Sequence, residues 1–323
     1  MDTTMRAVVC PRYGPAEVLE LRELPTPTPA AGEVLVRIHA ATVGPADVAF
    51  RSGTPWFARL FSGLRRPKLS VLGDGFAGDV VAVGADAHRF AVGDRVFGLN
   101  PKRLGAHAGY MSLPEDGLLA AMPPGMTSED AVSVLEAATA LTFLRDVAKL
   151  RQGERVLVNG ASGSVGCFGV QLAKHLGAHV TGVCSTANVE LVRSLGADAV
   201  IDYTQQDFTA DDQRYDVVFD AVGTSSYRRC KGVLAPRGRY LNTVPSFGIV
   251  GAMLWTALSR GRKARFAATG LMQTTDNLTF LAELFESGAI RSVIDRRYPL
   301  EDIAEAYRYV ETGRKKGTAV VTM

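Results

Sequence analysis

Three regularly spaced glycines mark the part of the sequence best suited to chemistry. Gly160, Gly163 and Gly166 follow the apolar run 156–158 and precede a helical pattern that begins near residue 165. A glycine turn between a strand and a helix lets backbone N–H groups approach a pyrophosphate, and the helix N-terminus adds partial positive charge there. The spacing G-x-x-G-x-x-G differs from the commoner G-x-G-x-x-G, so the signal depends on the surrounding strand and helix. We interpret the segment as a dinucleotide-binding turn, with an ordinary strand-to-helix turn as the alternative.

The residues that follow the second strand bear on which dinucleotide binds. Chains that bind NAD place an Asp or Glu about 20 residues after the glycine turn, where it holds the ribose hydroxyls. Residues 183–188 contain no acid at that position. The small polar side chains of Ser185, Thr186 and Asn188 would surround a 2′-phosphate without repelling it, so the sequence predicts NADP(H). The same residues would also serve to cap the next helix, and the two interpretations are compatible.

The composition excludes several classes of protein. The 323 residues include 36 basic and 33 acidic side chains, a balance that argues against a nucleic-acid binder that works by charge alone. The four cysteines, Cys10, Cys167, Cys184 and Cys230, are far apart, which argues against a structural zinc lobe or a disulfide scaffold. The N-terminus lacks the features of a signal peptide, and the longest apolar run is shorter than the ~20 residues that a membrane span needs. We expect a cytoplasmic protein with free thiols.

The predicted secondary structure around the glycine turn differs between the first third of the chain and the remainder. The first third consists of short β-branched runs separated by glycine and proline, which predicts a barrel-like β domain. From about residue 125 helical and strand patterns alternate, which predicts a parallel sheet covered on both faces. A long helix is predicted at residues 128–150, and strands are predicted at Arg155–Asn159, His179–Cys184, Ala199–Asp202, 217–222, 239–243 and 266–271.

Further motifs match one known family in order and spacing. Besides the glycine turn, they are residues 44–47, 72–78, 92–98, 195–198, 200–203 and 313–317. Together they resemble the zinc-free quinone-oxidoreductase, or zeta-crystallin-like, branch of the medium-chain dehydrogenase/reductase superfamily, over essentially the whole chain. The resemblance implies an α/β fold with a Rossmann-type doubly wound parallel sheet, residues 125–273, that binds NADP(H). It also implies a discontinuous GroES-like β-barrel catalytic domain, residues 1–124 and 274–323, with the active site in the cleft between the two.

The resemblance further implies a role for each matching cofactor position. The residues and their implied ligands are Ser162, Gly163, Ser164 and Val165 for the pyrophosphate, Ser185, Asn188 and Tyr203 for the 2′-phosphate, Thr139 for the nicotinamide, and Val222 and Gly223 for a ribose. Without the family context, Tyr203 would read equally well as a surface tyrosine in a turn.

The residues at the family's metal positions argue against zinc chemistry. Zinc-dependent relatives use a Cys and a His with an adjacent Glu, whereas the matching segments here, residues 44–47 and 74–75, offer no thiolate or imidazole. Without that Lewis acid, the remaining chemistry is hydride transfer from NADPH to an electrophilic carbon of a quinone or an α,β-unsaturated carbonyl. Asp47 and Thr139 are the candidates that would position substrate and nicotinamide, with Arg51 as a further polar candidate. Asp47 would equally well anchor its own loop.

Two alternatives and two surface features stay open at this point. The alternatives are reduction of a 2-enoyl thioester and a weakly catalytic NADPH-binding sensor or assembly protein. An exposed edge strand at residues 266–271 would allow a homodimer, which the family commonly forms. Residues 247–265 combine an apolar helix with a basic end, which fits either an anionic membrane surface or lipid-like ligand, or a helix packed on the sheet.

Overall fold

The computed structural model describes residues 3–56, 58–68, 70–210 and 212–323. The chain divides into two compact units, the first formed by Met1–Leu135, Thr274–Ser287 and Arg291–Met323, and the second by Glu136–Gln273 and Gly288–Ile290. The predicted boundary at residue 125 lies before the helix Ser128–Leu135, whereas the structure assigns this helix to the first unit. The reason is packing, because the helix contacts the strands of that unit.

The secondary structure comprises the following elements in chain order. The strands are β1 Thr4–Val9, β2 Glu20–Pro25, β3 Glu33–Val43, β4 Gly75–Val83, β5 Arg95–Leu99, β6 Tyr110–Pro114, β7 Leu118–Ala121, β8 Arg155–Asn159, β9 His179–Cys184, β10 Ala199–Asp202, β11 Tyr215–Asp220, β12 Leu234–Asn242, β13 Lys263–Arg265, β14 Ile294–Pro299 and β15 Thr318–Thr322. The helices are α1 Pro45–Ser52, α2 Ala58–Ser62, α3 Ser128–Leu135, α4 Ala137–Leu141, α5 Ser164–His175, α6 Val189–Ser194, α7 Tyr227–Cys230, α8 Phe247–Ala257, α9 Thr275–Glu286 and α10 Ile303–Glu311.

The first unit is built on a mainly antiparallel sheet, as the β-rich first third predicts. Its strand order is β14-β15-β3-β4-β5-β7, with β6 paired to β3 and a separate β1-β2 hairpin. The long β3 carries Val34, Val36 and Ile38 on one face, where they pack with Phe76 and other apolar residues in a buried cluster. This alternation is the period-two pattern that a strand with two different faces requires.

The second unit contains a six-stranded parallel sheet in the order β10-β9-β8-β11-β12-β13. Chain order reverses direction between β8 and β11, so the sheet is doubly wound and has its topological switch point there. The predicted strands Arg155–Asn159, His179–Cys184 and Ala199–Asp202 are confirmed to the residue. In sheets of this type ligands bind at the carboxyl ends of the strands beside the switch point. The glycine turn follows β8 and lies at that end.

The strands predicted at residues 217–222 and 239–243 are present with shifted bounds, at Tyr215–Asp220 and Leu234–Asn242. Two other predicted elements differ from the structure in kind or continuity. The helix predicted at residues 128–150 is divided into α3, α4 and a π-helical segment, Thr142–Val147, in which Thr142 donates its hydroxyl to the carbonyl of Ala138. The strand predicted at residues 266–271 is wrong, because the edge strand is Lys263–Arg265 and Thr269–Leu271 forms a 3₁₀ turn. Pairing with β12 fixes the strand, and that register ends at Arg265.

Candidate functional site

The turn between β8 and α5 has close contacts at two of its three glycines, and a side chain at either position would clash. Gly160 has φ of +76°, and a Cβ placed there would lie 2.5 Å from Cγ1 of Val222. A Cβ on Gly166 would lie 2.0 Å from the carbonyl oxygen of Gly160. At Gly163 the nearest atom would be 3.4 Å away, an ordinary contact. The fold therefore requires the first and third glycines. At the second, a side chain would make only ordinary contacts within the protein, so a glycine there would instead allow a ligand to approach the backbone closely.

The turn also presents the positive end of a helix. Gly163 is the N-cap of α5, and Ser164, Val165 and Gly166 are its first helical residues. The first N–H groups of an α-helix have no intrahelical acceptor, and the macrodipole places partial positive charge there. No acidic residue lies in this first helical turn. The arrangement fits a pyrophosphate.

Three of the predicted phosphate-contacting side chains come together in a polar cluster beside this turn. Nδ2 of Asn188 donates to the hydroxyl oxygens of Ser162 at 3.0 Å and Ser185 at 3.2 Å. Ser162 and Asn188 are buried, and within the described part of the chain Oδ1 of Asn188 accepts no hydrogen bond. A buried acceptor without a donor costs about 1–3 kcal/mol. A cofactor hydroxyl would supply the missing donor, so the cluster fits a dinucleotide.

Asp202, at the carboxyl end of β10, is an acid that the spacing rule along the chain does not detect. One of its oxygens accepts from the hydroxyl of Thr186 at 2.5 Å and from Gln205, and the other accepts from the backbone N–H and hydroxyl of Thr204. These hydrogen bonds, that from Thr186 first, lower the pKa of Asp202, which keeps the carboxylate charged. The sequence signal is the parallel register, which pairs Asp202 with Cys184 at the end of β9.

Tyr203 lies at the same edge of the sheet. Its backbone N–H donates to the carbonyl of Cys184 at 3.0 Å, and its side chain is 58% exposed. The tyrosine thus follows β10 directly and stands beside the end of β9, where Ser185 begins the polar cluster. Its hydroxyl is accessible to a ligand at this edge.

A buried carboxylate at the end of β11 holds the loop that carries Val222 and Gly223. Asp220 is fully buried and accepts four hydrogen bonds, from Asn159 Nδ2, the N–H groups of Gly223 and Ser225, and the Tyr240 hydroxyl, each at 2.9 Å. Burial first and then the Asp220 charge raise the pKa of Tyr240, so this hydroxyl stays protonated and donates. Sequence reasoning missed Asp220, although an acid that ends an apolar strand is a detectable signal.

Val222 reaches the glycine turn from this loop. Its side chain is the nearest neighbour of a Cβ on Gly160 and lies within 4 Å of one on Gly163. Gly223 has φ of +67°, which a side chain rarely adopts, and a Cβ there would meet Val244 at 2.5 Å. The structure therefore brings Val222 and the turn together, as the family resemblance implies.

Thr139 occupies the middle of α4 and is half-buried. Helix α4 contacts α5, the helix that begins at the glycine turn. Gln273 holds the neighbouring turn through bonds from Nε2 to the carbonyl of Ala138 at 3.4 Å and to the hydroxyl of Thr142 at 3.1 Å. Thr139 is thus placed on a rigid support within the unit that contains the turn.

The polar candidates of the first unit are held by that unit's own backbone. Asp47 is buried, with Oδ2 accepting from the N–H of Gly44 at 2.8 Å and Oδ1 from the N–H of Gly73 at 3.2 Å. These bonds match the loop-anchoring alternative. Arg51 is not available to a ligand, because it is fully buried, donates to the Gly14 carbonyl at 2.7 Å and forms an ion pair with Glu311.

Within residues 3–56, 58–68, 70–210 and 212–323, no group of three or more His, Cys, Asp or Glu side chains could hold a metal ion. All four cysteines are buried and free, and burial raises the pKa of the Cys10, Cys184 and Cys230 thiols to about 11. The helices of the same ranges are each too short or too polar to cross a membrane.

Comparison with known proteins identifies the family of the chain. The family profile described as "Alcohol dehydrogenase GroES-like domain" matches residues 30–124, and the one described as "Zinc-binding dehydrogenase" matches residues 195–321. The trans-enoyl reductase pgmF of Aspergillus terreus is 35% identical over 314 residues, covering 90% of this chain and 86% of its own. The mitochondrial NAD(P)H oxidoreductase RTN4IP1 of Mus musculus is 32% identical over 360 aligned positions, covering 100% of this chain and 90% of its own.

Solved structures agree with this grouping. The quinone oxidoreductase from Coxiella burnetii has a TM-score of 0.89, 28% identity and 99% coverage of both chains. The predicted α/β fold, a GroES-like domain with a Rossmann-type parallel sheet, is thereby confirmed. The chain belongs to the medium-chain dehydrogenase/reductase superfamily and is an NAD(P)-dependent oxidoreductase.

Proposed function

We propose that this protein is a zinc-independent, NADPH-dependent reductase that delivers a hydride to a quinone or an α,β-unsaturated carbonyl. The glycine turn is the observation that carries the proposal. A side chain at Gly163 would make only ordinary contacts within the protein, so the fold itself does not require a glycine there, and a closely bound ligand would. The buried Asn188 acceptor beside the turn adds a site for a cofactor donor. Relatives named as quinone oxidoreductases and enoyl reductases support the reaction class.

The second unit would bind the cofactor, which supplies the hydride when bound. The proposed contacts are Ser162, Gly163, Ser164 and Val165 for the pyrophosphate, Ser185, Asn188 and Tyr203 for the 2′-phosphate, Val222 and Gly223 for a ribose, and Thr139 for the nicotinamide. NADPH is favoured over NADH because the residues after β9 are small and polar. The charge of Asp202 would weaken this preference without reversing it, since its oxygens already accept four hydrogen bonds from nearby groups and are not free to hold ribose hydroxyls.

The chemistry proposed for the reacting carbon needs no metal. Residues 44–47 and 74–75 lack the thiolate and imidazole of zinc-dependent relatives, so an already electrophilic carbon is the fitting acceptor. Asp47 would act as a positioning residue through the loops of Gly44 and Gly73 that it binds. The proton would come from water or a hydroxyl. We further propose a cytoplasmic homodimer, whose edge strand would be β13 rather than the predicted residues 266–271.

A 2-enoyl thioester is the second candidate substrate. It is favoured by the 35% identity to a trans-enoyl reductase, which exceeds the identity to the quinone oxidoreductase relatives. Both substrates present a carbon that is electrophilic without a metal, so the same site serves either.

The deciding experiment follows NADPH absorbance with a naphthoquinone, an alkyl enone and a crotonyl thioester, each with and without a chelator. NADH is run in parallel. We expect decay with at least one acceptor, unchanged by the chelator and faster with NADPH. Tight NADPH binding without decay would instead favour the weakly catalytic sensor or assembly protein. Decay that the chelator abolishes would refute zinc independence.

A matched pair of glycine variants tests the binding site itself. Gly163→Ala places a methyl group in the open space of the turn, and we expect at least a tenfold higher NADPH dissociation constant by fluorescence titration. Gly232→Ala is the control, because a Cβ there meets nothing within 4 Å and lies in the same unit. Both variants should keep the parent melting temperature. Equal NADPH affinity in the two variants would refute the placement of the pyrophosphate.

A further inference from the structure

Helix α8 is apolar on the face that it exposes as well as on the face that it buries. Ile249 is buried in the core of the second unit, with Met253 packed against it. On the other side Phe247, Trp255 and Leu258 are 85%, 79% and 94% exposed, and they recur at helical spacing. The outward-facing large side chains are Phe247, Val250, Leu254, Trp255 and Leu258. A monomeric soluble protein seldom exposes a contiguous apolar patch of this kind without a binding role.

The segment around α8 carries only positive charge. Residues 221–273 contain nine Lys and Arg side chains and no Asp or Glu, although the whole chain has a net charge of only +3. The rest of the chain therefore carries a net excess of six acidic side chains. The exposed basic residues of this segment are Arg228, Arg229, Lys231, Arg237, Arg260 and Arg265.

Two other basic side chains hold the end of α8 in place. Nζ of Lys263 donates to the carbonyls of Thr256 at 2.7 Å and Ser259 at 2.5 Å, which satisfies the C-terminus of the helix. Nε of Arg262 donates to the carbonyl of Leu234 at 3.0 Å. The helix is thus fixed to the sheet, and its exposed face is a rigid surface.

The topology places more positive charge on the same side of the sheet. Helix α7 connects β11 to β12, and α8 connects β12 to β13, with all three strands parallel and in sequence. Right-handed crossovers that advance in one direction put both helices on the same face. Arg228 and Arg229 of α7 therefore share the face that carries the apolar surface of α8, and Arg229 also forms an ion pair with Asp207 at 3.3 Å.

We propose that α8 docks on the surface of an anionic lipid bilayer. Phe247, Leu254, Trp255 and Leu258 would enter the boundary between headgroups and acyl chains, and the exposed arginines would bind lipid phosphates. Phe, Leu and Trp beside Arg are the side chains that hold interfacial helices. The helix lies on the sheet, so the association is peripheral. This inference does not depend on the reductase reaction.

The charge pattern selects a membrane over a second copy of the chain. A two-fold dimer interface sets the same patch against itself. Residues 221–273 contain no acid that could face a copy of Arg228 or Arg260, and the nearby acids Asp207 and Glu154 already pair with Arg229 and Arg239. A two-fold contact through the exposed face of α8 would therefore oppose like charges, whereas the proposed homodimer would pair backbone groups at the β13 edge of the sheet. An anionic bilayer provides negative charge for the exposed arginines and an apolar phase for the exposed side chains of α8.

Vesicle flotation of the full chain tests the proposal. The vesicles contain phosphatidylcholine alone or with one-third phosphatidylglycerol, at low and high salt. We expect binding only to the anionic vesicles, strongest at low salt. Because the chain has two tryptophans, Trp56→Phe leaves Trp255 as the sole reporter, and its emission should shift to the blue on binding.

Paired variants identify the surface. Leu254→Ser with Trp255→Ser should abolish flotation, and Arg260→Ser with Arg265→Ser should weaken it on the order of twentyfold. Arg151→Ser with Arg155→Ser removes the same charge at the amino end of the sheet and should have little effect. All variants should retain the parent melting temperature and NADPH affinity, which separates this test from that of the reductase.

Three results would overturn the proposal. The first is no binding to anionic vesicles at low salt. The second is equal binding of the α8 and control variants. The third is a dimer in sedimentation that Leu254→Ser with Trp255→Ser abolishes, which would assign the face to a second copy.

Discussion

The substitution Asp220→Asn removes one acceptor from a fully buried carboxylate of the second unit that accepts four hydrogen bonds. One carboxylate oxygen accepts from Asn159 and from the backbone N–H of Gly223, and the other accepts from the N–H of Ser225 and from the Tyr240 hydroxyl. An amide replaces one oxygen with an NH₂ group, which donates. Either orientation therefore sets the NH₂ against a backbone N–H that needs an acceptor.

The size of the effect follows from these four bonds. The amide can place its NH₂ toward Tyr240, because a phenolic hydroxyl can also accept, so only the bond from Ser225 is lost outright. A buried N–H without an acceptor costs about 1–3 kcal/mol, and the remaining bonds lose their charge assistance. We expect the free energy of unfolding to fall by about 2–4 kcal/mol, with a melting temperature lower by roughly 6–12 °C.

Asp216→Asn is the matched control. Asp216 lies at the other end of the same strand and accepts one hydrogen bond, from the N–H of Arg155 at 2.9 Å. It should cost less than about 1 kcal/mol, because the site is partly exposed and its amide oxygen still accepts. The assays are thermal unfolding and fluorescence titration with NADPH, whose affinity should fall only in Asp220→Asn through the Val222–Gly223 loop. Equal stability and affinity in the two variants would show that the Asp220 network does not hold the loop.

Three further predictions concern the turn, the cofactor preference and acid stability. Gly166→Ala sets a methyl group 2.0 Å from the carbonyl oxygen of Gly160 and should lower the free energy of unfolding, measured by urea titration, by about 1–3 kcal/mol. A variant as stable as the parent protein would contradict this close contact in the turn. Asp202→Asn removes a negative charge from the proposed 2′-phosphate site and should tighten the binding of NADPH about fivefold relative to that of NADH in fluorescence titrations. An equal change in the affinity for both cofactors would show that the 2′-phosphate does not bind beside Asp202. Burial lowers the pKa of His107 to about 4, so below pH 6.5 the unfolded state binds a proton before the folded state does, and stability falls by about 3 kcal/mol between pH 6.5 and 4. His107→Gln should flatten this slope in urea titrations at pH 7 and 4.5, and an unchanged slope would assign it to other groups.

The parallel sheet was predictable from sequence because its local signals are unambiguous. Strands β8 and β9 are mostly buried, as expected for central strands of a sheet covered on both faces, and the edge strand β10 is a short apolar run bounded by turn residues. Gly177 and Gly196 follow the helices that precede β9 and β10, and their φ values of +78° and +100° are those of a glycine that ends a helix.

The errors arise where a local pattern does not contain the deciding contact. Apolar spacing continues through residues 128–150 because nearly every side of this stretch is buried, so nothing in the pattern marks the break at Glu136. The edge strand β13 is fixed by three residues of pairing with β12, and two of those three residues are basic. A search for apolar runs passes over such a strand and selects residues 266–271 instead.

At the cofactor site, too, a local sequence pattern misses the deciding contact, here that of one side chain, Asp202. A rule that counts residues from the glycine turn examines the end of β9 alone, where no acid is present. The carboxyl edge of a parallel sheet, however, is assembled from neighbouring strands, and the register sets Asp202 of β10 beside Cys184 of β9. The Thr186 hydroxyl then donates to Asp202 and is not available to a phosphate, which leaves the hydroxyls of Ser185 and Tyr203. Cofactor preference in this chain is therefore a property of two strands in register, and Asp202→Asn tests it directly because it changes charge while keeping the side chain's size.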